Sequence, residues 1–267
     1  MKQYKDGKLI MMKYKIAFFD IDGTLIDMQS KTMTKKTENA LIQLKEQGVI
    51  LCIATGRPLI SIPKFENIDF DMYLSFNGSY CTTGNNVIYE QPIDCEDVRK
   101  IIENAQKLNR PVSLASADQI GSNGSDQDLE EYFSFSKQKV NIAEDFDTLA
   151  EGKIYQIMMG AVPKDFDSIL SGTTSAKITA WWDRAIDIIP VNSGKGEAVK
   201  KILKYYHLDV SESIAFGDGE NDIEMLQAVG HGVAMGNANE KVQNAADEVC
   251  KSVTEDGIYH YFQFIKK

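Results

Sequence analysis

The chain carries four short apolar runs, and each of them stops at a polar or glycine-containing cluster. The runs cover residues 15–19, 49–54, 72–76 and 213–217. Apolar residues predominate in these runs instead of alternating regularly with polar ones, which is typical of parallel strands covered on both faces. Helical spacing over residues 34–48 supplies a crossover between the first two runs. The pattern predicts an α/β fold with a Rossmann-like, three-layer core around a parallel sheet.

The middle of the chain has a different sequence pattern, with shorter strand-like segments, turn residues and a hairpin. From Pro190 onward the pattern of buried strands and helices resumes. We therefore expect a discontinuous core of residues 13–78 and 190–267, interrupted by an inserted α+β cap domain of residues 79–189. Residues 1–12 are polar and Lys-containing, and we expect them to be a loose N-terminal extension.

The charge balance is acidic, with 39 Asp and Glu against 29 Lys and Arg and a formal net charge of −10. Nucleic acid and anionic membranes bind preferentially to clusters of Lys and Arg, so neither is expected as a partner of this acidic chain. No apolar run approaches the roughly 18 residues of a spanning helix, and no signal-peptide block is present. We expect a cytoplasmic protein that is a monomer or weak dimer. Because the chain is acidic, we expect it to bind an anion only where a metal ion or a cluster of hydrogen-bond donors makes the local electrostatic potential positive.

Two carboxylates, Asp20 and Asp22, follow the first apolar run and precede Gly23. Residues two positions apart just beyond a strand can point into the same space, and glycine permits a sharp turn there. Ligands of open α/β sheets bind beyond the carboxyl ends of the strands. The pair is therefore a candidate for acid–base or metal chemistry, although two Asp residues can also be turn formers.

Potential donors for a phosphate group follow at another strand end and at a helix start. Thr55 and Gly56 can offer a hydroxyl and a backbone N–H to a phosphate oxygen, but together with Arg57 they are also ordinary turn material. Lys195 opens a helix after a Gly-containing turn. It is either a solvated helix residue or a point charge for phosphate.

The fourth cluster, residues 217–222, reads GDGEND and places four oxygen-bearing side chains close together in sequence. Hard oxygen donors without paired His or Cys suit Mg²⁺ better than zinc or copper. The spacing of an EF-hand calcium loop is missing. The sequence therefore favours a magnesium site at this strand end.

Together these four motifs resemble those of the haloacid dehalogenase superfamily of phosphohydrolases. The long insertion between the second and third motifs is similar to that of its Cof-type, subfamily IIB branch, a group of sugar-phosphate phosphatases. The resemblance extends from about Lys15 to the end of the chain. It implies a phosphoric monoester hydrolase that uses Mg²⁺ and an aspartyl-phosphate intermediate. The expected substrate is a small phosphate ester, foremost a sugar phosphate.

The resemblance also implies chemical roles. Asp20 matches the nucleophile that attacks phosphorus, Asp22 the general acid/base, and Lys195 the cation that holds the nucleophile and the phosphoryl group together. Asp218 matches a metal ligand that acts with Asp20 and the backbone carbonyl of Asp22, and Asp222 matches a supporting carboxylate near the metal.

The remaining motif positions match residues around the phosphate and the leaving group. Thr55, Gly56 and Asn221 match phosphate donors, and Thr24 matches a residue that steadies the loop around Asp22. We expect Arg57 and Asn77 to face the cap and to contact the leaving group. In the insert, the hairpin turn of residues 181–184 is a further candidate, and it comprises Trp181, Trp182, Asp183 and Arg184. Its polar and aromatic groups suit a sugar, but they also suit ordinary cap packing.

Two other functions stay open at this point. A phosphomutase is one, because some relatives with a comparable cap transfer phosphate within a sugar instead of to water. A phospho-acceptor signalling domain is the other, since it also uses an acidic strand-end pocket with Asp and Lys. Asp22 and the long insertion count against the signalling domain.

Overall fold

The structure is a computed structural model that describes residues 4–5, 8–9 and 13–265. Most of the expected N-terminal extension lies outside the described residues, and within it Tyr4–Lys5 pairs antiparallel with Lys8–Leu9. The rest of the described chain forms an eight-stranded sheet and a five-stranded sheet. No helix in the described ranges is long and apolar enough to cross a membrane.

The larger sheet has a parallel centre. Its strands, from edge to edge, are Glu248–Val249, Gly232–Ala234, Ser213–Gly217, Ile16–Phe19, Ile50–Ala54, Met72–Ser75, Tyr80–Thr83 and Asn86–Glu90. The first six run parallel to one another. Tyr80–Thr83 runs antiparallel to both of its neighbours, Met72–Ser75 and Asn86–Glu90. The carboxyl ends of the four predicted strands therefore meet at one edge, and the expected parallel sheet is confirmed.

Helices cover both faces of the larger sheet. On one face they are Lys35–Glu46 and Gly257–Ile265, and on the other Lys195–Tyr205, Ile223–Ala228 and Glu240–Ala245. Successive strand residues point to opposite faces, so Phe19 packs into the first layer and Phe18 into the second, both fully buried. The three-layer core predicted from the apolar runs is thus present.

Local sequence sets where the first of these helices begins and ends. The side chain of Thr34 accepts a hydrogen bond from the N–H of Thr37 and caps the helix, as its position before the apolar spacing predicted. Gly48 adopts φ 84° just beyond the last turn, a conformation in which a side chain would be strained. The chain then turns directly into the strand Ile50–Ala54.

The smaller sheet is antiparallel throughout. In order its strands are Ala176–Trp182, Ala185–Pro190, Gln156–Gly160, Ser113–Ala115 and Ile120–Ser122. The helices that pack on one face are Cys95–Lys107, Phe146–Ala150 and Phe166–Ile169. A further helix, Gln127–Ser134, packs in a separate cluster with two aromatic residues of the larger sheet's part of the chain. These are Phe76, which follows the strand Met72–Ser75, and Tyr80, which begins the strand Tyr80–Thr83. This second cluster connects the smaller sheet to the carboxyl edge of the larger one.

The hairpin of Tyr80–Thr83 and Asn86–Glu90 extends the larger sheet, because it pairs with Met72–Ser75. The expected boundary at residue 79 assigns this hairpin to the insert, whereas the first helix that packs on the smaller sheet begins at Cys95. The smaller sheet and the helices that pack on it are called the smaller domain below. A reversal after a parallel strand needs only a tight turn, which Asn77 and Gly78 supply with φ of 51° and 87°. The division of the chain into domains stays a prediction.

Several short elements were not predicted from the sequence. The helices among them are Gln127–Ser134, Phe146–Ala150, Glu240–Ala245 and Gly257–Ile265. The first three begin after an Asp or Asn whose side chain accepts a backbone N–H, which is a cap signal visible in the sequence. Short 3₁₀ turns lie at Leu59–Ser61, Phe76–Gly78, Pro163–Asp165, Val210–Glu212, Glu220–Asp222 and Val253–Glu255.

Candidate active site

A cavity of about 260 Å³ lies between the carboxyl edge of the larger sheet and the smaller domain. Its floor, as the term is used below, comprises the lining residues at the ends of the parallel strands: Asp20, Asp22, Thr55, Gly56, Asp218, Gly219, Asn221 and Asp222. Its roof comprises the lining residues of the smaller domain: Tyr132, Phe133, Phe135, Ser136, Gln138, Met158 and Asp187. Met28, Arg57, Pro58 and Ser61 complete the wall.

Lys195 lies buried beneath the floor. Its Nζ donates to Oδ1 of Asp20 at 2.6 Å and to Oδ1 of Asp222 at 2.6 Å. Burial alone would lower the pKa of Lys195, but the two carboxylates outweigh it and raise that pKa above its usual value. Lys195 is therefore a fixed cation, and its interpretation as a solvated helix residue is wrong.

Asp222 braces the loop that follows Gly217. Its Oδ2 accepts hydrogen bonds from the backbone N–H groups of Asp218 and Gly219, both at 3.0 Å, while Oδ1 binds Lys195. A Cβ on Gly217 would overlap the Asp222 side chain, so glycine is required for this close approach. Both oxygens of Asp222 are thus engaged within the floor.

Three carboxylates, termed here the acidic trio, converge on one point: Asp20, Asp218 and Asp222 each place an oxygen within 4.8 Å of the others. Burial, together with Asp222 and Asp218, raises the pKa of Asp20 well above its usual range, and Lys195 offsets only part of this. Burial and Asp222 raise the pKa of Asp218 to about 7. A dication would relieve this crowding of like charges, and oxygen donors are the ligands that Mg²⁺ prefers. The acidic trio therefore fits a hard divalent cation.

The carboxylate of Asp218 is oriented by two donors. The hydroxyl of Thr24 donates to Oδ1 at 2.8 Å, and Nδ2 of Asn237 donates to Oδ2 at 3.1 Å. Thr24 was expected to steady the loop around Asp22, and this role stays a prediction; its hydroxyl bonds Asp218 across the edge of the sheet. Gly23 adopts φ 87°, and a Cβ there would overlap Asp218.

Asn237 was not predicted as a site residue. Its Nδ2 also donates to the carbonyl oxygen of Gly23 at 2.9 Å, and its Oδ1 accepts the N–H of Val253 at 2.9 Å. It lies just beyond the strand Gly232–Ala234, where the strand-end rule that pointed to the other motifs applies equally. Asn237 could therefore have been predicted as a site residue, because it is a polar residue that follows a predicted parallel strand.

Asp22 is paired with Arg57. The guanidinium donates from Nε to Oδ2 of Asp22 at 2.6 Å and from Nη2 to Oδ1 at 2.7 Å, and Nη1 donates to the carbonyl of Ser61 at 3.1 Å. Burial lowers the pKa of Arg57, but Asp22 outweighs this and leaves that pKa raised. The side chain of Asp22 is not part of the acidic trio. Arg57 was predicted to contact the leaving group, and here it holds Asp22.

The remaining predicted phosphate donors line the cavity. Oγ1 of Thr55 accepts the N–H of Arg57 at 3.1 Å, and a hydroxyl in this position retains a proton to donate. Gly56 and Asn221 lie beside it on the floor. A Cβ on Gly56 would come within 3.1 Å of the Asn77 side chain, which is tighter than most such contacts. Thr55, Gly56 and Asn221 therefore meet the acidic trio in one cavity.

Asn77 bridges the floor to the smaller domain. It is 2% exposed and is not among the described lining residues of the cavity. Its Oδ1 accepts from Nδ2 of Asn221 at 3.0 Å, and its Nδ2 donates to Asp187 at 2.9 Å and to Gln156 at 3.3 Å. Its amide is thus bonded on both sides of the domain interface in this structure.

The described residues of the roof are mostly apolar and include one carboxylate, that of Asp187. Phe133, Phe135 and Met158 line it, and the hydroxyl of Tyr132 donates to Oδ1 of Asp187 at 2.6 Å. These residues were missed because antiparallel pairing far along the chain brings them together. Asp187 alone gave a signal, as an acidic residue inside the apolar run Ala185–Pro190.

The hairpin turn singled out in the sequence contributes little to the cavity as described. Asp183 and Arg184 are not among the described lining residues, and the side chain of Asp183 is 76% exposed. The side chains of Trp181 and Trp182 lie outside the described part of the structure.

Comparison with known proteins gives consistent matches over nearly the whole chain. A family model for haloacid dehalogenase-like hydrolases matches residues 17–262. Over 251 residues the chain is 32% identical to YkrA of Bacillus subtilis (strain 168), a provisionally assigned phosphatase, covering 92% of this chain and 96% of that one. It is 27% identical over 264 residues to the 5-amino-6-(5-phospho-D-ribitylamino)uracil phosphatase YitU of the same strain, covering 94% and 96%.

A solved structure matches as well. The HAD subclass IIB sugar phosphatase BT4131 superposes with a TM-score of 0.85 at 28% identity, covering 94% of this chain and 99% of that one. The match therefore extends over residues of both sheets.

Proposed function

The chain belongs to the haloacid dehalogenase-like hydrolases, and on that premise we propose that it is a Mg²⁺-dependent phosphatase of a small phosphorylated metabolite. A sugar phosphate is the leading substrate class, because the similar proteins include a sugar phosphatase and a phosphatase of a phosphoribityl compound. One observation carries the proposal: three carboxylates converge on the floor of a single cavity, and a lysine buried beneath that floor bonds two of them.

Asp20 is the proposed nucleophile. Its carboxylate lines the cavity and is held by Lys195 at 2.6 Å, which fixes its orientation and offsets its charge. An oxygen of Asp20 would attack phosphorus and form an aspartyl-phosphate, and the bond from phosphorus to the leaving oxygen would break. Water would then attack the same phosphorus and release Asp20 and inorganic phosphate.

Asp22 is the proposed general acid and base. It would give a proton to the leaving oxygen in the first step and take one from the attacking water in the second. Both of its oxygens accept hydrogen bonds from Arg57 in this structure. A carboxyl group that carries a proton on one oxygen still accepts on the other, so Asp22 acting as the acid would give up one of its two hydrogen bonds to Arg57 and keep the other.

The phosphoryl oxygens would meet donors from several strand ends. Charge spreads over these oxygens in the transition state, and fixed donors stabilise it there. The hydroxyl of Thr55, the N–H of Gly56, the amide of Asn221 and the Lys195 ammonium are the candidates. Asp20, Asp218 and the backbone carbonyl of Asp22, braced by Asp222, would hold Mg²⁺, which supplies positive charge against the phosphate dianion.

The proposal is tested by phosphate release from a panel of phosphorylated sugars, nucleotides and cofactors, with p-nitrophenyl phosphate as a generic substrate. We expect release with Mg²⁺, loss of release with EDTA, and recovery when Mg²⁺ is restored. No release across the panel by protein that binds Mg²⁺ would contradict the proposal. Isomerised sugar phosphate in place of released phosphate would favour the mutase, and a lasting aspartyl-phosphate without turnover would favour the signalling domain.

A further inference from the structure

The segment that follows the strand Met72–Ser75 is held in a strained backbone conformation beside the phosphate end of the cavity. Phe76 and Asn77 adopt φ of 52° and 51°, in the left-handed region that residues other than glycine rarely occupy. Such strain persists only where the surrounding contacts impose it, and it is concentrated at functional sites. In this segment the contacts come from two sides, the carboxyl edge of the larger sheet and the smaller domain.

The backbone of the segment is bonded to the strand end that carries two of the proposed phosphate donors. The N–H of Asn77 donates to the carbonyl oxygen of Thr55 at 3.0 Å. The N–H of Phe76 donates to the carbonyl oxygen of Arg57, also at 3.0 Å. The ring of Phe76 is fully buried and packs against that of Tyr155, beside the smaller sheet, with the ring centroids 5.4 Å apart. The segment is therefore fixed between the phosphate end of the cavity and the smaller domain.

The smaller domain fixes the orientation of the Asn77 amide. The NH₂ group donates to Oδ2 of Asp187 at 2.9 Å and to Oε1 of Gln156 at 3.3 Å. Because both of these atoms accept, the carbonyl oxygen of Asn77 must point the other way. There it accepts a hydrogen bond from Nδ2 of Asn221 at 3.0 Å. The smaller domain thus determines that Asn77 offers an acceptor to the floor.

The acceptor at Asn77 matters because Asn221 can serve a phosphate in only one orientation of its own amide. Asn221 lines the cavity, and a phosphate oxygen there needs the NH₂ group and not the carbonyl oxygen. The bond to Asn77 fixes which side of the Asn221 amide carries the nitrogen. That nitrogen gives one N–H to Asn77 and keeps a second N–H for a phosphate oxygen.

We propose that Asn77 is a positioning residue: it holds the Asn221 amide in the orientation that donates to phosphate, and it does so while the smaller domain is seated on the floor. Asn77 is 2% exposed and is not among the described lining residues, so it acts through Asn221 and not on the leaving group. Closure of the cavity then orders the phosphate site as well as covering it. The inference rests on the proposed phosphatase function and adds that loss of the Asn77 amide slows every substrate alike.

The first test is Asn77→Gly, which removes the amide and suits the φ of 51°. We expect kcat/KM with Mg²⁺ to fall by about tenfold to 100-fold, because a donor to the phosphate is misplaced. The factor should be similar for p-nitrophenyl phosphate and for the best metabolite of the panel. Asn109→Gly is the matched control, since Asn109 has φ 53°, is exposed and is not a lining residue of the cavity. The control should keep wild-type activity, and thermal melting establishes that both variants are folded.

A double-mutant cycle with Asn221→Ala separates positioning from a purely structural role. In the Asn221→Ala background, Asn77→Gly should cost about threefold or less, because the group that Asn77 positions is gone.

A second cycle tests the contact with the smaller domain. Asn77→Asp keeps an oxygen for Asn221 but can donate to Asp187 only by taking up a proton, which is costly near neutral pH. We expect a loss of about tenfold in kcat/KM, and we expect Asp187→Asn in the same chain to recover most of it, because that change returns an N–H to the contact. Asp183→Asn is the matched control, since it makes the same change at a side chain that is 76% exposed, and it should recover nothing.

Wild-type activity in a folded Asn77→Gly protein would overturn the inference, and so would a loss confined to KM for the metabolite, which would place Asn77 against the leaving group. An equal loss with and without Asn221 would also overturn it, because it would show a structural role alone. If Asn77→Gly does not fold, the second cycle decides, and no recovery by Asp187→Asn overturns the inference. No phosphate release by the wild type from any compound, p-nitrophenyl phosphate included, would instead overturn the phosphatase proposal and this inference with it.

Discussion

The floor and the roof of the cavity face each other across the same substrate space but are built in different ways. The floor gathers charged groups at the ends of parallel strands, with Lys195 bonded to Asp20 and Asp222 at 2.6 Å each. The roof is an antiparallel sheet with a helix, and it offers aromatic surface and Asp187. The floor suits the phosphate group of any monoester, whereas the roof can contact only the leaving group to which the phosphate is attached.

The two regions also differ in what they contribute to stability. Burial and mutual repulsion raise the pKa values of Asp20 and Asp218, so ionising them costs the metal-free protein stability. The roof instead buries Phe133 and Met158, which stabilises the fold. Changes to the floor should therefore reduce kcat for every substrate, and changes to the roof should depend on the leaving group.

The largest effect is expected from Asp20→Asn. The amide cannot act as the nucleophile, so kcat/KM should fall by about 10⁴-fold or more for all substrates alike. The melting temperature without metal should rise, because a buried carboxylate with a raised pKa is replaced by a neutral group. Steady-state assays and melting curves measure both, with Asp183→Asn as the control. Activity within about tenfold of the wild type would remove Asp20 from its assigned role.

A second large effect is expected from Lys195→Ala. The change leaves Asp20 and Asp222 buried without their counter-charge, which should cost about 3–5 kcal/mol of unfolding free energy in the metal-free protein. We expect kcat/KM to fall by about 10³-fold, because one charge-stabilising donor is lost. Lys200→Ala is the control: this lysine lies on the same helix, pairs with Glu197 and is 61% exposed. A loss confined to one substrate would contradict a floor role for Lys195.

A smaller effect is expected from Asn237→Ala, which removes a donor to Asp218 and to the carbonyl of Gly23. The Mg²⁺ concentration for half-maximal activity should rise by about tenfold, with kcat at saturating Mg²⁺ little changed. The rise in melting temperature on adding Mg²⁺ should shrink, which is a readout independent of turnover.

Asn239→Ala is the matched control for Asn237→Ala. Asn239 caps the helix Glu240–Ala245 by accepting the N–H of Val242, so its loss should cost about 1 kcal/mol of stability. Its Mg²⁺ dependence should stay at the wild-type value. Equal Mg²⁺ dependence in both variants would show that Asn237 has no part in holding the metal site.

The smallest effect is expected from Gln138→Ala on the roof. Gln138 donates to Oγ of Ser61 at 2.9 Å, and a neutral hydrogen bond of this kind contributes about 1 kcal/mol. We expect KM for the best metabolite substrate to rise by roughly threefold while kcat is unchanged, with less effect on p-nitrophenyl phosphate. A fall in kcat for both substrates would mean that the roof shares the chemistry of the floor.

The sequence predicted the floor better than the roof, and the reason is topological. Strands that run parallel must bring their carboxyl ends to one edge, so Asp20, Thr55 and Asp218 could be placed together before any side-chain contact was known. The pairing of Arg57 with Asp22 could not be anticipated, because it depends on side-chain conformations within the closed cavity.

The roof depends on pairings between distant and short elements. Tyr132 lies on a helix of eight residues that was not predicted from the sequence, and Asp187 lies on a strand more than 50 residues further along the chain. Contacts between a helix and a strand this far apart in the chain depend on tertiary packing, for which the sequence carries no local signal. Which side chains form the roof could therefore be known only from the structure.

The central claim, that Asp20 carries the phosphoryl group, is tested most directly in the Asp22→Asn variant with p-nitrophenyl phosphate and Mg²⁺. The p-nitrophenolate group leaves without a proton donor, so the first step should proceed, whereas the second step lacks the base that activates water. The account predicts a burst of one p-nitrophenolate per enzyme and, after acid quench, a phosphoryl group on the peptide that contains Asp20. Turnover with no burst and no protein-bound phosphate, or a phosphoryl group on another residue, would contradict it.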